Sequence, residues 1–308
     1  MYLIFISLYN FILIIIFIII LLEMDDIMKN IKIKKLVVKH CIISWIERIV
    51  ICCLLITFLL SLRNIISWQS DNGKIESVSK KISELVDVNE VIIPVDESTE
   101  SLYDIEEQYW RYKDVPIMDV NIDRLKLENS ATVGWIKVNG TNINYPIVQA
   151  SDNEYFLYHD FEGNYNIGGW IFADYRINLN NLSQNNIIYG HRRLNQSMFG
   201  TLKNVLTDEW INNKENHIIK ISTDKYNYLF QVFSVYTIDN ETYYIKTAFN
   251  NDNEFQTFID TIKKRSNYDF QIDVNTDDKI LTLSTCDLLN ADKRLVVHSK
   301  LVRSIEKN

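Results

Sequence analysis

From residue 132 onward the chain repeats one pattern. Short runs of β-branched and aromatic residues alternate with polar ones, and turn-forming residues separate them. A period of two puts one face of a strand in a core. Eight such runs stand at 133–138, 143–148, 170–173, 186–189, 217–221, 226–238, 279–285 and 295–302. Asn139-Gly140, between the first two, is a two-residue turn signal. Many short strands with turns between them predict a closed barrel or a sandwich. Two helices are expected to interrupt them, at 198–206 and 253–265. In the second, Phe255, Phe258, Ile259 and Ile262 share one face, with Asn253 as the expected N-cap. Lying between the sixth and seventh strands, it should cover one side of the barrel.

The first third of the chain has a different texture. Residues 1–22 carry no charged side chain and are about long enough to cross a bilayer. A second apolar run covers 49–62, and Lys29, Lys32, Lys34, Lys35 and Lys39 lie between the two. Basic residues beside a span favour the cytoplasmic side, so everything after Arg63 is expected outside. A chain starting at Met28 would read as a basic segment followed by one anchor. From 69 to 130 the sequence is polar and acidic. Ile75, Val78, Ile82 and Leu85 recur at helical spacing, as do Leu102, Ile105 and Tyr109. The expectation is a stalk helix, a loop near Pro94 and a helix on the main domain; a solvated linker is the alternative for the stalk. The domains expected are an anchor region at 1–68, a stalk at 69–99 and a main domain at 100–308.

The net charge of −8 argues against a nucleic-acid binder. No His, Cys and carboxylate cluster has metal-ligand spacing, and no cofactor is expected. Cys286 is the one cysteine after Trp68 and ends the alternating run Ile280-Leu281-Thr282-Leu283-Ser284-Thr285. Arg294 opens the next strand. A lone cysteine at a strand end is usually a small buried hydrophobe. With a fixed cation nearby, it can instead become a thiolate that attacks. His191 follows a strand and Gly190, a turn that presents an imidazole at a strand end. A nucleophile, a proton carrier and a cation at three strand ends suit covalent catalysis.

Tyr189-Gly190-His191, then Thr282-Leu283-Ser284-Thr285-Cys286, then Arg294 resemble the sortase signature. Val133-Gly134-Trp135-Ile136, Tyr145-Pro146-Ile147-Val148-Gln149, the stretch Asp152-Asn153-Glu154-Tyr155-Phe156-Leu157 and Met198-Phe199 resemble its class B branch. The resemblance covers about residues 100 to 303. It implies a mostly β fold, an eight-stranded barrel with N-terminal helices and a long helix between strands 6 and 7. It implies a membrane-anchored cysteine transpeptidase of Gram-positive bacteria that cleaves a C-terminal sorting motif after threonine through a thioester at Cys286. His191 would move the proton and Arg294 would hold the oxyanion. Ser284, Asn153, Leu157, Tyr244 and Asp287 would bind the peptide. The acceptor would be an amine of a peptidoglycan cross-bridge or its lipid-linked precursor. Core packing is the plain alternative for Leu157 and Tyr244. Asn240 departs from the threonine found in some class B members, and the loop from Cys286 to Arg294 is shorter than in some. Three alternatives remain: a cysteine hydrolase on the same groove, a pilin-polymerising sortase, and a tethered adhesion domain without activity.

Overall fold

The structure is a computed structural model that describes residues 36–92, 115–239, 241–286 and 293–307. The expectations for 1–22, for the helix through Leu102 and Tyr109, and for Asn240 and Asp287 lie outside these residues. The chain divides into two compact units, Met1–Asn72 and Gly73–Asn308, and the helix Leu36–Leu85 runs through the boundary.

In the first unit this helix exposes Trp45, Ile49, Ile51, Ile56, Phe58 and Leu59. The stretch Ile43–Leu85 is long and apolar enough to cross a membrane, with mean hydropathy 2.4 in its most apolar window. Apolar side chains that find no protein core are stable in hydrocarbon, where the helix also satisfies its own backbone. In the second unit the same helix buries Ile75, Val78 and Ile82 in the main core. Of the expected stalk at 69–99, residues up to Leu85 are helical and Asn89–Val91 is a strand.

The second unit is a closed barrel. Its strands are β3 (Thr132–Val138), β4 (Asn144–Val148), β5 (Phe172–Ala173), β6 (Asn185–Tyr189), β7 (Ile218–Ser222), β8 (Tyr226–Asp239), β9 (Ile280–Cys286) and β10 (Lys293–Glu306). They are joined in the order β10-β8-β7-β3-β4-β5-β6-β9. All eight expected runs form barrel strands. A separate two-stranded ribbon pairs β1 (Asn89–Val91) with β2 (Ile117–Asp119). The longest pairing, β8 with β10, breaks register at His298/Ser299 and again at Leu301/Arg303. Such bulges bend long strands and let a sheet close. Gly140 has φ +69°, as the turn after β3 requires.

Most contacts around the barrel are antiparallel, but β4–β5 and β6–β9 are parallel. A parallel pair needs a crossover connection. The one between β6 and β9 contains β7, β8 and the helix Asp252–Arg265. That helix buries Phe255, Phe258, Ile259 and Ile262, each contributing about 1.5–3 kcal/mol. Its cap is Asn251, two residues earlier than expected, whose side chain accepts from the Glu254 N–H. Lys263, Lys264 and Arg265 lie in its last turn, where the helix dipole favours cations. The expected helix at 198–206 shrinks to the 3-10 turn Leu202–Leu206. Met198 has φ +52°, so no helix begins there. Thr207 instead caps a short helix, Asp208–Asn212.

Candidate active site

Strand register assembles the expected trio. In the parallel β6–β9 pair, Tyr189 is the partner of Ser284. The Gly190 N–H extends the ladder to the Ser284 carbonyl, at 3.3 Å. His191 and Cys286 each lie two residues beyond that pair, so they leave neighbouring strands at the same end. In the antiparallel β9–β10 pair, Arg294 is the direct partner of Cys286. Directly opposed residues in such a pair have Cα atoms about 4.5–5.5 Å apart. Three adjacent strands thus bring His191, Cys286 and Arg294 to one edge of the barrel.

His191 is held by backbone. Its Nε2 lies 2.9 Å from the Leu157 carbonyl oxygen, at the end of the 3-10 turn Tyr155–Leu157. A carbonyl only accepts, so Nε2 carries the proton and donates it. Nδ1 is then the basic nitrogen of the neutral ring. Protein surrounds the ring closely although the residue keeps some exposed surface. That enclosure lowers the His191 pKa below the ordinary imidazole value. The Leu157 carbonyl opposes the shift, and the charges of Arg193 and Arg294 add to it. Arg294 is half-buried and donates from Nη1 to the Lys293 carbonyl at 3.1 Å.

Glycines keep the Leu157 carbonyl in place. Gly169 has φ +52°, and a Cβ there would lie 2.4 Å from the Phe156 oxygen and 2.6 Å from the Leu157 oxygen. A Cβ on Gly190 would meet the Phe199 ring at 2.7 Å. Neither position accepts a side chain without moving its neighbours.

The remaining expected residues lie around the trio. Ser284 is buried, and its Oγ is 2.9 Å from the Tyr244 hydroxyl. Tyr244 is buried on the 3-10 turn Tyr243–Ile245. Asn153 is half-buried; its Nδ2 donates to Asp174 Oδ2 at 3.0 Å and its Oδ1 accepts from the Tyr175 N–H at 3.0 Å. The Leu157 side chain packs partly buried against the core. Its carbonyl, rather than its side chain, makes the contact with His191.

Three residues here were not anticipated. Asp174, fully buried after β5, accepts from Arg176 Nε and Nη2 at 2.8 and 2.6 Å. It also accepts from the Tyr189 hydroxyl at 3.0 Å. Burial alone would raise the Asp174 carboxyl. The donors outweigh burial and hold it below the usual carboxylate range. Asn185 links the floor of the site to the Tyr244 turn. The sequence signal for the first pair was an Asp and an Arg two residues apart at a strand end.

Two features lie apart from this edge. His298 is wholly buried between Tyr236 and Thr282, at 2.8 Å from each hydroxyl. A cavity of about 390 Å³ lies beside Leu85, Asp119 and Lys307. Its lysine is committed to Asp119 at 2.8 Å and to the Val120 carbonyl at 2.7 Å, and among the described residues no Cys, Ser or Thr lines it. The β6–β9–β10 edge that carries His191, Cys286 and Arg294 is not part of this cavity. Among the described residues no group of three His, Cys, Asp or Glu is placed to hold a metal ion.

Comparison with known proteins gives one answer. The defining pattern of the sortase domain matches residues 136–302. Sortase B of Staphylococcus aureus is 38% identical over 184 residues, 59% of this chain and 74% of that protein. Sortase B of Listeria monocytogenes is 35% identical over 176 residues, 56% of this chain and 71% of that protein. Among solved structures, the Staphylococcus aureus sortase B–substrate complex has a TM-score of 0.58 at 30% identity. That match covers 77% of this chain and 98% of the other.

Proposed function

Since this chain belongs to the sortase family, as a class B cysteine transpeptidase that anchors surface proteins, we propose that Cys286 is its nucleophile, His191 its proton carrier and Arg294 its oxyanion cation. The observation that carries this reading is the Tyr189–Ser284 pairing, with His191 and Cys286 both two residues beyond it.

The steps follow from the chemistry of the three groups. His191 is neutral near pH 7, because its pKa is lowered, and Nδ1 takes the proton of the Cys286 thiol. The thiolate attacks the carbonyl of the threonine in a sorting motif. Negative charge moves to the carbonyl oxygen, where Arg294 stabilises it. The C–N bond breaks as the imidazolium gives its proton to the departing amine, leaving a thioester. An incoming amine loses a proton to His191 and attacks the thioester. The C–S bond breaks and the thiolate leaves. The Leu157 carbonyl serves both halves of the cycle, since its bond to Nε2–H strengthens when the ring is charged.

Asn153, Leu157, Tyr244, Ser284 and Asp287 are the proposed peptide contacts. Tyr244 already touches Ser284, which lies on the cysteine strand itself. The Staphylococcus aureus relative is described in complex with substrate, which supports binding of a sorting-motif peptide by this chain. The proposed acceptor is an amine of the peptidoglycan cross-bridge or of its lipid-linked precursor. The lysines at 29–39 favour an inside location for the segment before the apolar helix. The second unit then faces outward, where cell-wall precursors lie.

The test uses the full chain in detergent micelles, a quenched library of threonine-containing sorting peptides and an amine acceptor. Cys286→Ala, His191→Ala and Arg294→Ala should each lose ligated product. Full cleavage by Cys286→Ala would overturn the assignment, and hydrolysis that ignores added amine would point to a hydrolase.

A further inference from the structure

The segment Tyr243–Thr247 carries a proposed peptide contact yet has little regular structure, a 3-10 turn of three residues. Four consecutive carbonyls in it are taken by two residues from the β5–β6 side. Asn185 Nδ2 donates to the Tyr244 and Lys246 carbonyls, at 3.1 and 2.8 Å. The Asn185 backbone N–H donates to the Thr247 carbonyl at 3.3 Å. Arg176 Nη2 donates to the Ile245 carbonyl at 2.9 Å. Asn185 is fixed in turn by Thr282, whose Oγ1 donates to its Oδ1 at 2.6 Å.

Arg176 also reaches the other side of the site. Its Nε and Nη2 lie against both oxygens of Asp174. The same carboxylate takes Asn153 Nδ2 and the Tyr189 hydroxyl, each at 3.0 Å. One ion pair therefore ties together Asn153, the strand end that leads to His191, and the residue beside Tyr244. Neutralising a buried carboxylate needs a cation only. It does not need a further donor reaching the Ile245 carbonyl. A planar guanidinium can do both because its donors diverge in a fixed fork, whereas an ammonium is a single compact charge.

We propose that Arg176, fixed by Asp174, is a positioning residue that holds the Asn153 side and the Tyr244 side of the site at the separation a sorting peptide needs. Its contribution falls on peptide binding and not on thiol chemistry. This inference rests on the reading of Asn153 and Tyr244 as peptide contacts, so the experiment separates the two.

The probe is a fluorescence-quenched threonine-containing sorting peptide, chosen from a small library by turnover with the unmodified full chain in detergent micelles. KM and kcat are measured for Arg176→Ala, Arg176→Lys, Tyr244→Ala and the double variant Arg176→Ala/Tyr244→Ala. Losing two to three charge-assisted hydrogen bonds in Arg176→Ala should raise KM about 5- to 20-fold and leave kcat within about 3-fold. Arg176→Lys, which keeps the charge without the fork, should fall between. The double variant should have a KM within about 2-fold of Tyr244→Ala, because both changes remove one feature. A merely structural arginine would give additive effects, or a fall in kcat with KM unchanged, and either result overturns the proposal. If Tyr244→Ala raises KM and Arg176→Ala does not, the proposal alone fails. If Tyr244→Ala leaves KM unchanged, the peptide-contact reading fails and the proposal with it.

Discussion

Replacing Gly169 by Ala should cripple turnover from a position outside the proposed catalytic and peptide-binding residues. The added Cβ meets the Phe156 and Leu157 oxygens at 2.4 and 2.6 Å, and contacts below 3.0 Å are not tolerated. Both atoms are backbone, so no rotamer relieves the clash. The Phe156 oxygen also accepts from the Trp170 N–H at 2.9 Å, which resists its retreat. The Tyr155–Leu157 turn has to move by about half an ångström as a unit. The Leu157–His191 bond, now 2.9 Å, is then stretched past the usual 2.7–3.2 Å range or drives the ring aside. A hydrogen bond to a charged group contributes about 1.5–3 kcal/mol, and each 1.36 kcal/mol is a factor of ten. The expected fall in kcat/KM is about 10- to 150-fold. Alanine at φ +52° adds strain of about 1–2 kcal/mol, so Tm should fall by several degrees as well. Gly163→Ala separates the two effects. Gly163 has φ +80°, but a Cβ there meets only the Tyr155 hydroxyl, at 3.3 Å. It should lose similar stability and keep its turnover. Peptide cleavage well below Tm, with unfolding curves for both variants, makes the comparison. A folded Gly169→Ala chain within 2-fold of the unmodified turnover refutes the role given to the Leu157 carbonyl.

Three further outcomes follow. Arg294→Gln removes a charge that lowers the His191 pKa, so the His191 ring resonance should titrate at a higher pH by NMR; an unchanged midpoint would separate the two groups. Burial holds the His298 pKa at about 3, below its unfolded value of about 6.5, so the unfolded chain binds the extra proton between those values. Stability is therefore lost as pH falls from about 6.5 towards 3, by up to about 1.4 kcal/mol per pH unit, and urea midpoints of His298→Gln should fall less steeply; parallel slopes would contradict this. Thr282→Val strands the Asn185 amide oxygen and a His298 nitrogen, each a 2.6–2.8 Å partner now, and should destabilise the barrel by about 1–3 kcal/mol in urea unfolding.

Much of the barrel was legible because its signal is local. Each strand is a short local run bounded by turn residues, so β3 to β10 could be read from runs such as Ile280–Thr285 without knowing their neighbours. Cys286, His191 and Arg294 were legible as strand-end residues and as a family signature. What could not be read was whatever depends on distant backbone. The orienting partner of His191 is a main-chain oxygen, and every residue has one. The Asp174–Arg176 pair shows its meaning only once Asn153, Tyr189 and Ile245 gather around it. Asn251 rather than Asn253 caps its helix because Glu254 reaches back to the Asn250 N–H, at 2.8 Å. Phe199 shows why 198–206 is not a helix: its N–H donates to the His191 carbonyl at 3.0 Å, not to the preceding turn.

The parallel contact between β6 and β9 also sets an order of events. The two strands are brought together only after the whole excursion through β7, β8 and the helix has closed, and that loop is costly to shut. Until that loop closes, the backbone of Cys286 is not held level with that of His191. If these two carry the proposed chemistry, the site is completed only together with the tertiary structure.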